Sequence, residues 1–237
     1  MVLLSHRYKF IYISSYKTAS SSVGSFFERF CVSPEEQETY VNIDDVDSRD
    51  TEYGIIGYRL NKSGTPKSGW YNHTSLSELI ETLKRRKFID ANIILNTYFK
   101  FTNVRNPWDR MVSEYCFHKE KGYIKADVSF REYCLSQTVN RPASLITING
   151  SVCSDYFIRY EHLYDDIVKV CQILSIPQKY YENIKEQVPH FKTDYRTFVK
   201  TCNESDTFNY RLWYDNDTKS HINTLYREDI DRFGYVF

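Results

Sequence analysis

Tyr8–Ser14 is a short apolar run rich in aromatic and β-branched residues, and it predicts a buried strand. Immediately after it, Val23, Phe26, Phe27 and Phe30 recur at helical spacing, which predicts a helix from Ser20 to Phe30. Residues 33–68 are polar and turn-rich, with short strands expected near Tyr40–Ile43 and Tyr53–Tyr58 and a Gly/Pro loop over 61–69. Leu76, Leu79, Ile80 and Leu83 form one face of a helix spanning Ser75–Lys87. Tyr98–Val104 is a second buried strand. It ends at Asn106-Pro107, a cap followed by a residue suited to a first helical turn, so a helix runs on to about Lys119. Further on come a short helix at Phe130–Ser136, a strand at Tyr156–Tyr160 and helical stretches at Glu161–Leu174 and Pro177–Glu186. An irregular aromatic region covers 188–215, and a last helix spans Thr218–Phe233. Strands alternating with helices predict an α/β fold with a central, mainly parallel sheet flanked by helices. With no repeat and no linker visible, residues 1–237 are expected to form a single domain.

Composition narrows the function classes. The chain has 31 basic and 31 acidic residues, so it lacks the chain-wide positive field that nucleic acid or an anionic membrane would require. Its 21 tyrosines and 15 phenylalanines suit a compact fold rather than disorder. The six cysteines are scattered without a C-x-x-C pair, which reads as free thiols in a reducing compartment and argues against zinc. No apolar run reaches the ~20 residues of a membrane span, and no signal-peptide pattern is seen, so a soluble, cytoplasmic chain is expected.

Two stretches carry candidate chemistry. In the first, Lys17-Thr18-Ala19-Ser20-Ser21-Ser22 lies between a strand and a helix, where unpaired N–H groups and the helix dipole favour an anion. It is not a G-x-x-x-x-G-K-[ST] loop. A capping serine beside a solvated lysine is the plainer alternative. In the second, Arg105 stands at the C-terminal end of a strand, the ligand-binding end of a parallel sheet. Ser113 follows about two helical turns on. The two could share one phosphate, or Arg105 could pair with an Asp while Ser113 faces solvent.

Together these stretches resemble the sulfotransferase family that uses 3′-phosphoadenosine-5′-phosphosulfate (PAPS), most closely its carbohydrate branch. Lys17–Ser22 is similar to the family's Lys-Thr-Gly-x-Thr/Ser-Ser loop, and Val104–Tyr115 to its Val-Arg-Asn/Asp-Pro-x-x-Arg-x-x-Ser-x-Tyr segment. Phe157–Pro177 and Tyr210–Phe237 resemble the family's Arg-x-Glu-x-Leu strand with its helix, and its Asp-x-x-x-Phe-Gly-Tyr ending. The resemblance implies a P-loop-like fold and sulfuryl transfer from PAPS to a hydroxyl acceptor, taken as carbohydrate, with release of adenosine bisphosphate (PAP) and no metal. It places Lys17, Thr18, Ala19, Ser20, Ser21 and Ser22 at the 5′-phosphosulfate, with Lys17 also catalytic, and Arg105 and Ser113 at the 3′-phosphate. Tyr160 and Lys192 are further nucleotide contacts by rough position. A histidine between the two motifs and ahead of a helix implies that His73 is the general base, with His118 and Glu114 as fallbacks. Two positions depart from the pattern: Ala19 replaces a common Gly and Tyr16 a common Pro. A nucleotide kinase or NTPase, or a binder that has lost its chemistry, are the competing readings.

Overall fold

The computed structural model describes residues 1–41, 47–58, 70, 73–86, 90–138, 145–189 and 209–237. The chain divides into two compact units, one of Met1–Val104 with Pro142–Phe191 and one of Arg105–Arg141 with Lys192–Phe237.

The first unit is built on a six-stranded sheet. Its strands are β1 (Val2–Ser5), β2 (Phe10–Ile13), β3 (Arg49–Thr51), β4 (Gly54–Ile56), β5 (Phe99–Val104) and β8 (Tyr156–Arg159), in the order β3-β4-β1-β2-β5-β8, while β6 (Thr147–Ile148) and β7 (Ser151–Val152) pair with each other in a separate hairpin. The α/β reading holds. The sheet is mixed, and its core is parallel where β2 pairs with β5 and β5 with β8. Antiparallel strands β1, β4 and β3 extend it beyond β2. Alternation along each strand divides the core into two layers. Leu3, Phe10, Tyr12, Phe101 and Ile158 pack against Val23, Phe26, Phe27 and Phe30 from α1 (Ser20–Glu28) and the short 3₁₀ turn after it. Val2, Leu4, Ile11, Ile13 and Ile55 pack on the other face against α3 (Leu76–Arg86) and α4 (Ala91–Thr97). Each fully buried phenylalanine contributes roughly 1.5–3 kcal/mol relative to exposure. Because β2, β5 and β8 run parallel, their C-terminal ends, near Ile13, Val104 and Arg159, lie along one edge of the sheet.

The second unit gathers α5 (Pro107–Glu120), α6 (Phe130–Leu135) and the helices Asn216–Leu225 and Arg227–Phe233 around Trp108, Met111, Val112, Tyr115, Tyr133, Ile222 and Ile230. Asn106 starts α5 as expected, its side-chain oxygen accepting from the N–H groups of Trp108 and Asp109. No described helix is long and apolar enough to cross a membrane.

Several elements differ from the pattern-based expectation. Val2–Ser5 forms a strand of its own, paired with both β2 and β4, and Tyr8 and Lys9 belong to the turn before β2. Pro34–Thr39 is helical (α2), started by Ser33 capping Glu36 N–H. The strand expected near Tyr40–Ile43 is absent at Tyr40 and Val41, while residues 42–43 lie outside the described set. The strand pairing with Gly54–Ile56 is instead Arg49–Thr51. The last helix breaks at Tyr226, whose backbone leaves the helical region (φ −112°, ψ 24°) and whose ring lies 4.7 Å from the Arg110 guanidinium carbon. The described cysteines, Cys31, Cys116, Cys134, Cys153 and Cys171, are free thiols, and burial pushes Cys134 and Cys171 up to about 12.

Candidate functional site

The loop between β2 and α1 takes its shape from backbone dihedrals that its side chains disfavour. Lys17 (φ 57°) and Ala19 (φ 60°) are both left-handed, and Thr18 between them is not. Alternation of hand over consecutive residues turns their N–H groups into an anion-binding concavity. Ala19 is the N-cap of α1 and has no side chain with which to cap it, and no acidic residue occupies the first turn. The cap is therefore not one of the serines; Ser20, Ser21 and Ser22 form the first turn itself. Thr18 is 1% exposed, and its hydroxyl donates back to the Ser15 carbonyl at 3.2 Å. The Ser15 hydroxyl is buried and finds no hydrogen-bond partner among the described residues, an orphan that an anionic oxygen would satisfy. Uncapped amides, an orphaned hydroxyl and a half-buried lysine fit a phosphate-bearing ligand.

The left-handed alanine gives a direct prediction. A non-glycine residue pays roughly 1–2 kcal/mol in this region, and glycine gives part of that back through its looser unfolded chain. Ala19→Gly is therefore expected to stabilise the fold by about 1 kcal/mol, read as a higher urea midpoint at constant slope. A midpoint at or below that of the parent would mean that Ala19 is unstrained.

His73 comes to this loop from a position 57 residues away in the chain. Its ring stacks on Tyr16 with centroids 4.0 Å apart and planes at 21°, and its Nδ1 lies 3.4 Å from the Ser14 carbonyl oxygen. A carbonyl only accepts, so this contact places the proton on Nδ1 and the lone pair on Nε2, the tautomer suited to take a proton. His73 is also left-handed (φ 57°). Lys17, Ala19 and His73 are thus three of the six described non-glycine residues with positive φ. Such strain clusters where function requires it. Tyr16, in sequence only a departure from the family pattern, is the ring on which His73 stacks, a contact that local pattern does not show.

In the second unit, Arg105 is 6% exposed, and its Nε donates to Asp109 Oδ2 at 2.7 Å. The pairing with an Asp is thus real, but Ser113, at 8% exposure on α5, does not face solvent. One bond through Nε fixes the plane of the guanidinium, a form of preorganisation. Glu114, a fallback base by position, is not open to solvent. It is 3% exposed and bound by Arg110 at 2.8 Å, so moving a proton through it would require breaking a buried ion pair. His118 is engaged through Nδ1 with the Tyr133 hydroxyl at 2.9 Å. In the first unit, Tyr160 sits partly exposed in the 3₁₀ turn Tyr160–His162 that follows β8. Lys192, with Phe191 and His190, lies outside the described residues.

The sequence profile described as "Sulfotransferase family" matches residues 1–236. An uncharacterized protein of Archaeoglobus fulgidus is 31% identical over 93 residues, covering 36% of this chain and 75% of that protein. No solved structure matches the chain at a significant level.

Proposed function

The chain belongs to the sulfotransferase family, and from that premise we propose that it transfers a sulfuryl group from PAPS to a carbohydrate hydroxyl, with His73 as general base. The family match spans both units, which supports reading residues 1–237 as one sulfotransferase domain. The observation that carries the proposal is the meeting of Tyr16, Lys17 and His73 in one strained loop region.

Bound, PAPS supplies an activated sulfuryl group attached to a phosphate leaving group. The N–H groups of Thr18–Ser22 and the hydroxyls of Ser21 and Ser22 would hold its 5′ end. Lys17 would meet charge that grows on the leaving oxygen, and so would stabilise the transition state more than the ground state. Arg105 and Ser113 would hold the 3′-phosphate. His73 accepts the acceptor's proton at Nε2, while Ser14 O and the Tyr16 ring hold its orientation.

PAP is expected to raise the melting temperature strongly, by an amount equivalent to about 2.7 kcal/mol at 100 times its Kd, and AMP much less. Equal shifts would remove the 3′-phosphate role. Arg105→Ala should weaken PAP binding by roughly 2–4 kcal/mol. Because that change strands the Asp109 carboxylate, Arg105→Gln with Asp109→Asn is the cleaner test. Incubation with PAPS and a panel of glycans, alcohols and phenols, read by mass spectrometry, tests the reaction itself. A sulfated glycan is the expected product; sulfation of phenols alone would overturn the carbohydrate assignment.

A further inference from the structure

We infer that Asn103 and Tyr12, which lie beneath the loop and outside both sequence motifs' ligand-contacting positions, are positioning residues that aim the loop amides at the anion. The inference rests on the proposed reading of that loop as the 5′ site. Asn103 is fully buried on β5. Its Nδ2 donates to the Thr18 carbonyl at 3.3 Å, and its Oδ1 accepts from the Tyr12 hydroxyl at 2.5 Å. The same hydroxyl is 3.2 Å from the Ser20 carbonyl oxygen. One residue earlier on β5, Thr102 donates to the Ile13 carbonyl at 2.6 Å, so the strand grips the loop's root as well.

The consequence follows from peptide geometry. In a planar trans peptide the N–H points opposite to the C=O. Holding the Thr18 carbonyl towards Asn103 turns the Ala19 N–H away from the core, and Tyr12, whose one hydroxyl proton goes to Asn103 Oδ1, fixes the amide that makes this bond. Lys17 and Ala19 are the strained residues on either side of Thr18. Strain of this kind persists only where surrounding contacts over-determine the backbone, and this buried polar set supplies them. A loop with glycine at position 19 would reach the same shape with less support.

Inorganic pyrophosphate and PAP are titrated by calorimetry, well below the melting temperature, against wild type, Asn103→Leu, Tyr12→Phe, Ala19→Gly and Asn103→Leu/Ala19→Gly. Asn103→Leu is expected to weaken both ligands about tenfold, and Tyr12→Phe, which deletes a single oxygen and keeps the core filled, about threefold. Measured against its own effect in the wild-type background, Ala19→Gly should recover at least about threefold of affinity in the Asn103→Leu background, a coupling that a merely structural role does not produce. Unchanged affinities alongside a lowered melting temperature, or losses that Ala19→Gly fails to recover, overturn the inference. If Asn103→Leu does not fold, Tyr12→Phe with and without Ala19→Gly decides the question. Wild type that binds pyrophosphate but not PAP sinks the cofactor assignment and leaves this comparison intact; wild type that binds neither sinks both.

Discussion

Lys17→Ala is expected to lower the turnover of sulfuryl transfer by about 10²–10³, equivalent to roughly 2.7–4 kcal/mol of transition-state stabilisation, with a much smaller loss of PAP affinity. The asymmetry is the informative part. On the proposed reading, the charge of the 5′-phosphate would be met before reaction by the amides at the head of α1, whose first turn has no capping side chain and no acidic residue. Only the charge that appears on the leaving oxygen still lacks a partner, and an ammonium on a flexible stem is suited to meet it. Alanine is the right replacement. It keeps a β-carbon at a residue with φ 57°, so backbone strain is the same in both proteins and the comparison isolates the charge. Single-turnover rates at saturating PAPS give the chemical step directly. A rate within a few-fold of wild type would reduce Lys17 to a surface lysine on a turn.

What was legible in the sequence was what short-range pattern decides. The apolar run of β2, the Val23/Phe26/Phe27/Phe30 stripe and the Asn106-Pro107 helix start are each fixed by residues within one or two turns of each other, and each appears where expected. Two further elements are also legible in local pattern. Ser33-Pro34-Glu35-Glu36 carries a cap, a first-turn proline and acidic residues at a helix start. Asn149-Gly150 between Ile148 and Ser151 is a strong short hairpin signal, and both residues have positive φ. The pairing of Val2–Ser5 between β2 and β4 was of another kind, because four apolar residues do not say which strands they join. Nor does local pattern give the bond from Asn103 to Thr18, across 85 positions, or the stack of Tyr16 on His73. In the site, therefore, the residue types proposed to meet the anion could be read in order along the chain. The residues that hold them in place come from distant segments and became visible only in the fold.

His73→Ala is expected to cut turnover by roughly 10²–10⁴ while leaving PAP affinity nearly intact, because a general base acts on the acceptor's proton and not on the phosphates. The rate of the parent should fall at acidic pH. The imidazole acts as a base only when neutral, so protonation removes the lone pair on Nε2, and that acid limb should vanish in the variant. Tyr16 supplies a graded control. Tyr16→Phe keeps a ring 4.0 Å from the imidazole and should stay near wild type. Tyr16→Leu removes the stack, worth about 0.5–1.5 kcal/mol, and should lower turnover by up to about tenfold with PAP binding unchanged. A histidine that merely packs against the loop gives a different result: loss of stability in both variants, and an acid limb that survives His73→Ala. The fallbacks are weaker on physical grounds. The carboxylate of Glu114 is held by Arg110 at 2.8 Å in a buried pair, and His118 is bound to Tyr133. Retention of the acid limb in His73→Ala, with its loss in His118→Ala, would nevertheless move the base to the second unit.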